Sequence, residues 1–311
     1  MSADLWFFGT GRFAARCLSE LASAYSPSLV VTAPPKRSGR GMKLCPTSVE
    51  ETALQLHLRL FHSPSVNCDE ELLSMLRRKT PDAIFVIDFG QKIASPWLDT
   101  PRCGCLNIHP SLLPLYRGAA PVQRAVMDGA GKTGVTLFRL VEKMDAGPIL
   151  YQTESAIGQD ETSGELLDRL AVLGSGLFTD HAELILRGSA PLTPQDERVA
   201  TLARKIEKSE ARLSPELTAQ ALHHLVCGLN PAPGAYVIFR GKRLKILTSR
   251  PSDLNVPQGV LKSVGGTLFL GARQGALELK TLQPEGKRVM VASDWLKGLK
   301  LREGEAVDCR R

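Results

Sequence analysis

Over the first half of the chain, short unbroken apolar runs alternate with longer stretches of helical spacing. Leu5–Phe8 reads as a strand, Arg12–Ala24 as a helix and Leu29–Ala33 as a second strand. Helical patterns follow over Ser48–Leu58, with Thr47 or Ser48 as the N-cap, and over Asp69–Lys79. "AIFVI" (Ala83–Ile87) is a continuous apolar run of buried-strand type, and "CLNI" (Cys105–Ile108) is a shorter one. "GVTLFRLV" and "ILYQTESAI" read as two more strands, and Thr162–Leu186 as a long helix. Strands alternating with helices predict an α/β fold: a Rossmann-like parallel sheet covered on both faces, with ligands beyond the carboxyl ends of its strands.

The pattern then changes. "GSAPLTPQDERVATLARKIEKSEARL" is rich in proline, threonine and charge and reads as a linker. "SPELTAQALHHLVCGL" reads as a helix with Ser214 as N-cap and Pro215 at its first position. Five short strands follow: "AYVIF", "RLKIL", "GVLKSV", "TLFLGA" and "ALELKTL". Arg240-Gly241-Lys242 and Gly265-Gly266 are turn signals between them. This spacing predicts a small β-barrel of OB type. The expected organisation is a Rossmann-like domain over 1–188, a linker over 189–208 and an OB-like barrel over 209–311.

Composition adds limits. With 311 residues, 43% hydrophobic and 23% charged, the chain reads as a globular protein. No apolar run is long enough for a bilayer, and Met1-Ser2-Ala3-Asp4 lacks the basic start of a secretory signal. Seven scattered cysteines suit reduced thiols, so a cytoplasmic location without membrane partners is expected. Cys103-x-Cys105 has no second pair to complete a zinc site, and no metal is expected. The charge is uneven: residues 204–311 carry a net +9 and the remainder a net −2. A polyanionic partner and a merely soluble basic surface both account for this.

The chemistry concentrates in "CLNIHPSLLPLYRGAAPVQRAV" (Cys105–Val126). Asn107 and His109 lie two apart at a strand end, hence on one face. Asp145 lies in a turn within "VEKMDAGPIL". An Asn to donate to a developing oxyanion, a His to move a proton and an Asp to orient it would suit acyl transfer. A structural histidine and an ordinary turn aspartate are the alternative. A second motif, Gly9-x-Gly11-x-x-Ala14, fits a dinucleotide fingerprint, but no acid ends the second strand, where "VVTAPPKRSGR" stands instead. An NADP site is therefore the remaining nucleotide option, and a strand-to-helix turn the simpler reading.

"NIHPSLLPLYRGAAPVQRA" resembles the signature of the folate-dependent formyltransferases, and "SLLPLYRGAAP" is most similar to the branch acting on a charged tRNA. "TGVTLFRLVEKMDAGPIL", "TLARKIEKSEARL", "LNPAPGAYV" and "LQPEGKRVM" resemble later segments of that family, in order, so the likeness runs from about Phe7 to Trp295. The resemblance implies formyl transfer from 10-formyltetrahydrofolate, as donor substrate, to the α-amino group of methionine on initiator methionyl-tRNA. A small-molecule amine, such as a sugar nucleotide, is the alternative acceptor. It implies Asn107, His109 and Asp145 as catalytic residues. Ser111, Leu112, Leu113 and Pro114 would hold folate, with Phe89 and Gly90 of "IDFGQKI" as another wall. It implies Arg40, with Arg37 and Lys43 of the basic "APPKRSGRGMKL" loop, as contacts to tRNA. A monomer is expected. Four positions depart from the family: Gly11 stands where Pro is usual, Asp88-Phe89 where Ala-Tyr is common, and Leu115 where Arg is common.

Overall fold

The computed structural model describes residues 3–38, 42–299 and 301–308. The chain packs as two units. One comprises Met1–Gly118, Lys132–Ala156 and Leu167–Leu202; the other comprises Ala119–Gly131, Ile157–Leu166 and Ala203–Arg311. In chain order the elements begin with β1 (Leu5–Gly9), α1 (Arg12–Ala22), β2 (Leu29–Thr32), β3 (Lys36–Ser38), β4 (Lys43–Cys45), α2 (Ser48–Gln55) and β5 (Leu60–His62). They continue with α3 (Glu70–Arg78), β6 (Ala83–Ile87), β7 (Cys105–His109), β8 (Arg117–Gly118), α4 (Pro121–Met127), β9 (Lys132–Arg139), β10 (Ile149–Ala156) and α5 (Ser163–Leu186).

The first unit is built on a seven-stranded sheet of order β10-β9-β7-β6-β1-β2-β5. Five strands, β5 to β7 along that order, pair in parallel, so their carboxyl ends share one edge. The two strands read from "GVTLFRLV" and "ILYQTESAI" extend it antiparallel: β9 pairs antiparallel to β7, and β10, joined to β9 by a turn, pairs antiparallel to β9. Thr47 caps α2 by accepting from the Glu50 N–H, and Asp69 caps α3 by accepting from Leu72 N–H. α5 lies close against β7 and β9 at Gly174, where a Cβ would fall 2.3 Å from Ile108 Cγ2 and 2.8 Å from Val135 Cγ2. Ile108 thus faces α5, and alternation sends Cys105, Asn107 and His109 to the opposite face. There Cys105 joins a core of Trp6, Phe8, Val31, Ile84, Val86 and Trp97.

In the second unit, β11 (Leu202–Ala203) and α6 (Ala219–Gly228) precede β12 (Tyr236–Phe239), β13 (Lys242–Ser252), β14 (Leu261–Val264), β15 (Thr267–Gly271), β16 (Ala276–Pro284), β17 (Met290–Val291) and α7 (Ala292–Lys297). The strand order is β12-β13-β16-β15-β14, with β17 on β16, a curled antiparallel half-barrel consistent with an OB-like fold. Arg240-Gly241 and Gly265-Gly266 all take positive φ, the geometry of tight hairpins that match strand twist. β13 outruns the predicted "RLKIL": register shifts beside Thr248 bend it, and the bent strand stays paired to Ser252. The helix after the linker begins later than predicted. Thr218, not Ser214, is its N-cap, accepting from Ala221 N–H, while Leu217 N–H closes a separate turn onto the Ser214 carbonyl. Among the described residues, no helix is long and apolar enough to cross a membrane.

Candidate active site

The β6–β7 ladder ends at the pair Phe85 and Leu106. Beyond it, the Asn107 side chain takes over: Nδ2 donates to the Val86 carbonyl at 2.6 Å. A carbonyl cannot donate, so the amide orientation is fixed, with one Nδ2 proton left over. Asn107 Oδ1 is buried without a hydrogen-bond partner among the described residues. A buried acceptor left this way is costly unless an N–H or O–H comes to it.

Two positions on, His109 is only 5% exposed. Its Nε2 lies 2.9 Å from the Tyr116 carbonyl and therefore carries a proton. Nδ1 is the nitrogen left to take or release one, and it faces Asp145 Oδ2 at 3.8 Å. The Phe138 ring edge-on to the imidazole limits its rotation. Asp145 sits at φ +50°, a left-handed conformation that aspartate tolerates better than most residues. Its Oδ2 accepts from Gly118 N–H at 2.8 Å. The three residues predicted to be catalytic thus gather on one face of β7, two by strand alternation and one by a folded-back turn.

The 111–114 loop is fastened from below. Thr136 Oγ1 donates to the Ser111 carbonyl at 2.7 Å and accepts from Leu113 N–H at 3.0 Å. Gln152 Nε2 donates to Leu113 O and to Thr136 Oγ1, both at 2.8 Å. Ser111 is fully buried, its hydroxyl spent on the Leu115 carbonyl, and Leu113 is buried as well; Leu112 and Pro114 are partly exposed. Phe89 is buried against Phe8, and Gly90 is exposed at φ +74°. Both follow β6, whose carboxyl end borders that of β7. Arg37 and Lys43 are exposed on the β3–β4 hairpin, which follows β2 at the same edge of the sheet. Arg40 lies outside the described residues.

Four supporting residues escaped the sequence reading. Besides Thr136 and Gln152, they are Gln195 and Glu197, both inside the stretch read as a linker. Arg117, 4% exposed, donates to both: Nε and Nη2 to Gln195 Oε1 (3.0 and 2.7 Å), Nη1 and Nη2 to Glu197 (3.1 and 2.9 Å). Lys143 adds a 2.7 Å ion pair to Glu197. These two cations pull the Glu197 carboxyl down to about 2. Polar contacts between distant segments leave no periodic trace in a sequence, so only the residue types were visible.

Gly11 also finds its physical setting here. A Cβ at this position would fall 1.8 Å from Asp88 Oδ2. The Asp88 carboxylate accepts from Phe13 N–H, in the first turn of α1, and its carbonyl accepts from the N–H groups of Thr10 and Gly11. The glycine makes room for a neighbouring carboxylate, and the two departures from the family pattern form one packing unit.

Comparison with known proteins identifies the family. The family model described as Formyl transferase matches residues 5–182, and Formyl transferase, C-terminal domain matches residues 205–300. The chain is 41% identical to methionyl-tRNA formyltransferase of Moorella thermoacetica, covering 98% of this chain and 99% of that protein. It is 38% identical to methionyl-tRNA formyltransferase of Parvibaculum lavamentivorans, over 97% and 99%. A solved sugar 3N-formyl transferase, in the presence of dTDP and 5-N-formyl-THF, shares the fold at TM-score 0.64 and 16% identity, covering 93% of this chain and 100% of that one. Matched by both family models in order, and along nearly its whole length by such relatives, the chain belongs to the formyl transferase family.

Proposed function

We propose that this enzyme transfers the formyl group of 10-formyltetrahydrofolate to the α-amino group of methionine on initiator methionyl-tRNA. The observation that carries the reading is the 41% identity to a methionyl-tRNA formyltransferase over 99% of that protein's length, half-barrel included. The solved sugar formyl transferase shares only the fold at 16% identity, which favours the tRNA acceptor over a sugar amine.

The donor supplies an activated formyl group; the chain's residues do the rest. The free Nδ2 proton of Asn107 is aimed to stabilise negative charge developing on the formyl oxygen. The orphaned Oδ1 of Asn107 accepts an N–H of the incoming amine, which relieves its burial. His109 Nδ1 takes or returns the proton that moves between the amines, and Asp145 faces that nitrogen. Leu112 and Pro114, on the loop that the buried Ser111 and Leu113 anchor, form one wall for the folate, and Gly90, beside the buried Phe89, the other. The exposed cations Arg37 and Lys43, with Arg40, meet tRNA phosphates.

The test is formyl transfer to methionyl initiator tRNA, with free methionine and a sugar-nucleotide amine as parallel acceptors. Transfer to the tRNA alone is expected; transfer to the small amine alone would move the reading to that substrate class. Asn107→Ala should lower kcat by about 10²–10³-fold, the usual loss for one oxyanion donor, while tRNA affinity holds. Parallel loss of tRNA binding would overturn its catalytic role.

A further inference from the structure

The stretch that reads as a linker is stitched to the site. Thr193 and Ile149 exchange backbone hydrogen bonds at 2.9 and 2.8 Å, at the start of β10. Gln195 Nε2 donates to the carbonyl oxygens of Asp145 (2.9 Å) and Gly147 (2.7 Å). Its Oε1 accepts two bonds from the buried Arg117 guanidinium. Thr201 accepts from Tyr116 N–H through its hydroxyl (2.8 Å) and from Arg117 N–H through its carbonyl (2.9 Å). Segment 193–201 therefore touches both site loops: the one whose Tyr116 carbonyl holds His109, and the one that carries Asp145.

Resting on the function proposed above, we propose that Gln195 is a positioning residue for Asp145. The Asp145 turn is left-handed and returns its carboxylate toward His109, a conformation that needs outside support. Gln195 supplies that support at the backbone. Two carbonyls on either side of Ala146 converge on one Nε2, so the turn closes around the amide. The other end of the amide is anchored by Arg117, and Arg117 by Glu197. The adjacent Gly118 N–H, next in the chain to Arg117, then meets Asp145 Oδ2 at 2.8 Å. One residue thereby fixes both ends of the contact that aims the carboxylate.

Only an amide fits this position. Both Nε2 protons go to carbonyls, and Oε1 receives the guanidinium. In Gln195→Glu, a carboxylate oxygen would face two carbonyl oxygens at 2.7–2.9 Å, acceptor against acceptor, and the turn must open. In Gln195→Met, the shape is kept and all four bonds are lost.

The experiment measures kcat and KM for each substrate in Gln195→Glu and Gln195→Met, together with hydrogen exchange at Gly118 N–H. Misplacing a catalytic group by about 1 Å costs roughly 10²-fold, so kcat should fall by that order with KM for the formyl donor unchanged. The Gly118 amide should exchange faster in both variants, because its acceptor has moved. Unchanged kcat, or unchanged Gly118 exchange, in a folded variant overturns the positioning role. A wild-type chain that formylates no amine overturns the function instead, and the exchange measurement still decides whether Gln195 holds Asp145.

Discussion

The pairing of Gly11 with Asp88 yields a prediction whose size follows from the geometry. Gly11 has φ −85° and ψ −179°, an extended conformation open to any residue, so Gly11→Ala introduces no backbone strain. It introduces a clash. The new Cβ would lie 1.8 Å from Asp88 Oδ2 and 2.5 Å from Cγ, so the carboxylate must swing away and surrender the Phe13 N–H. α1 has no other help at that end: Gly11 offers no side-chain cap, and the first turn contains no acid. A lost cap contact costs about 1 kcal/mol and up to ~2 kcal/mol; burial pushes the Asp88 carboxyl up to about 6, so its charge adds no further gain. Gly11→Ala should therefore cost about 1–2 kcal/mol. Asp88→Ala loses the same bonds and adds a penalty for alanine at a φ of +43°. That penalty is present in both arms containing Asp88→Ala and cancels from a double-mutant cycle. In the double variant the space is already clear, so the second substitution costs almost nothing further. The cycle should show a coupling of about 1–2 kcal/mol, read from thermal melts and from exchange of the Phe13 amide. Destabilisations that simply add would refute the idea that the two positions share one contact.

The buried thiols Cys17, Cys105 and Cys227 are pushed up by desolvation, Cys105 and Cys227 to about 12. In the native protein, iodoacetamide should modify the exposed Cys45 and Cys68 and spare those three, as peptide mapping before and after unfolding will show. Glu197 is held at about 2 by Arg117 and Lys143 against an ordinary value of 4.5. A depressed carboxyl stabilises above its unfolded value and loses this contribution as pH falls through its folded one. The stability difference between wild type and Glu197→Gln should stay constant from pH 8 to 5 and close only between about 4.5 and about 2; a difference that closes between pH 7 and 5 would contradict the ion pairs. Binding of tRNA should weaken with added salt, and Arg37→Ala with Lys43→Ala should flatten that slope without changing KM for the formyl donor. An unchanged slope removes the β3–β4 hairpin from the tRNA contact.

What could be read from the sequence was whatever repeats with a short period. "AIFVI" is β6 residue for residue, and the two-residue spacing of Asn107 and His109 placed both on one face of β7 because alternation is a local property of strands. Thr47 and Asp69 cap their helices through hydroxyl and carboxylate contacts three residues long, which is why composition at those positions was informative. Ser214-Pro215 misled because both residues suit a helix start, and a turn closed by Leu217 N–H was just as compatible with them. The length of β13 depended on bulges opposite β16, and no local pattern announces a partner strand. The support of the site was hidden for the same reason. Gln195 acts on Asp145 from fifty positions away, through backbone carbonyls that every residue type possesses.

The identity of residue 107 shows how fold and chemistry share one group. Where β6 and β7 cease to pair, the Val86 carbonyl needs a donor, and Asn107 Nδ2 supplies it. A serine could satisfy the carbonyl but would have no proton left for an oxyanion. An aspartate would satisfy it only when protonated, and would then again have none to spare. Asparagine closes the ladder with one Nδ2 proton; in the reaction proposed above it would keep the second for a developing charge and offer Oδ1 to the amine. The buried Oδ1, without a hydrogen-bond partner among the described residues, is the part of this arrangement that folding alone does not explain, since a side chain chosen only to finish the sheet would not carry it. Its cost is consistent with a residue held for the reaction rather than for stability. His109 is held through Nε2 and Asp145 through the Gly118 N–H, and among the described residues His109 Nδ1 has only the 3.8 Å approach to Asp145 Oδ2.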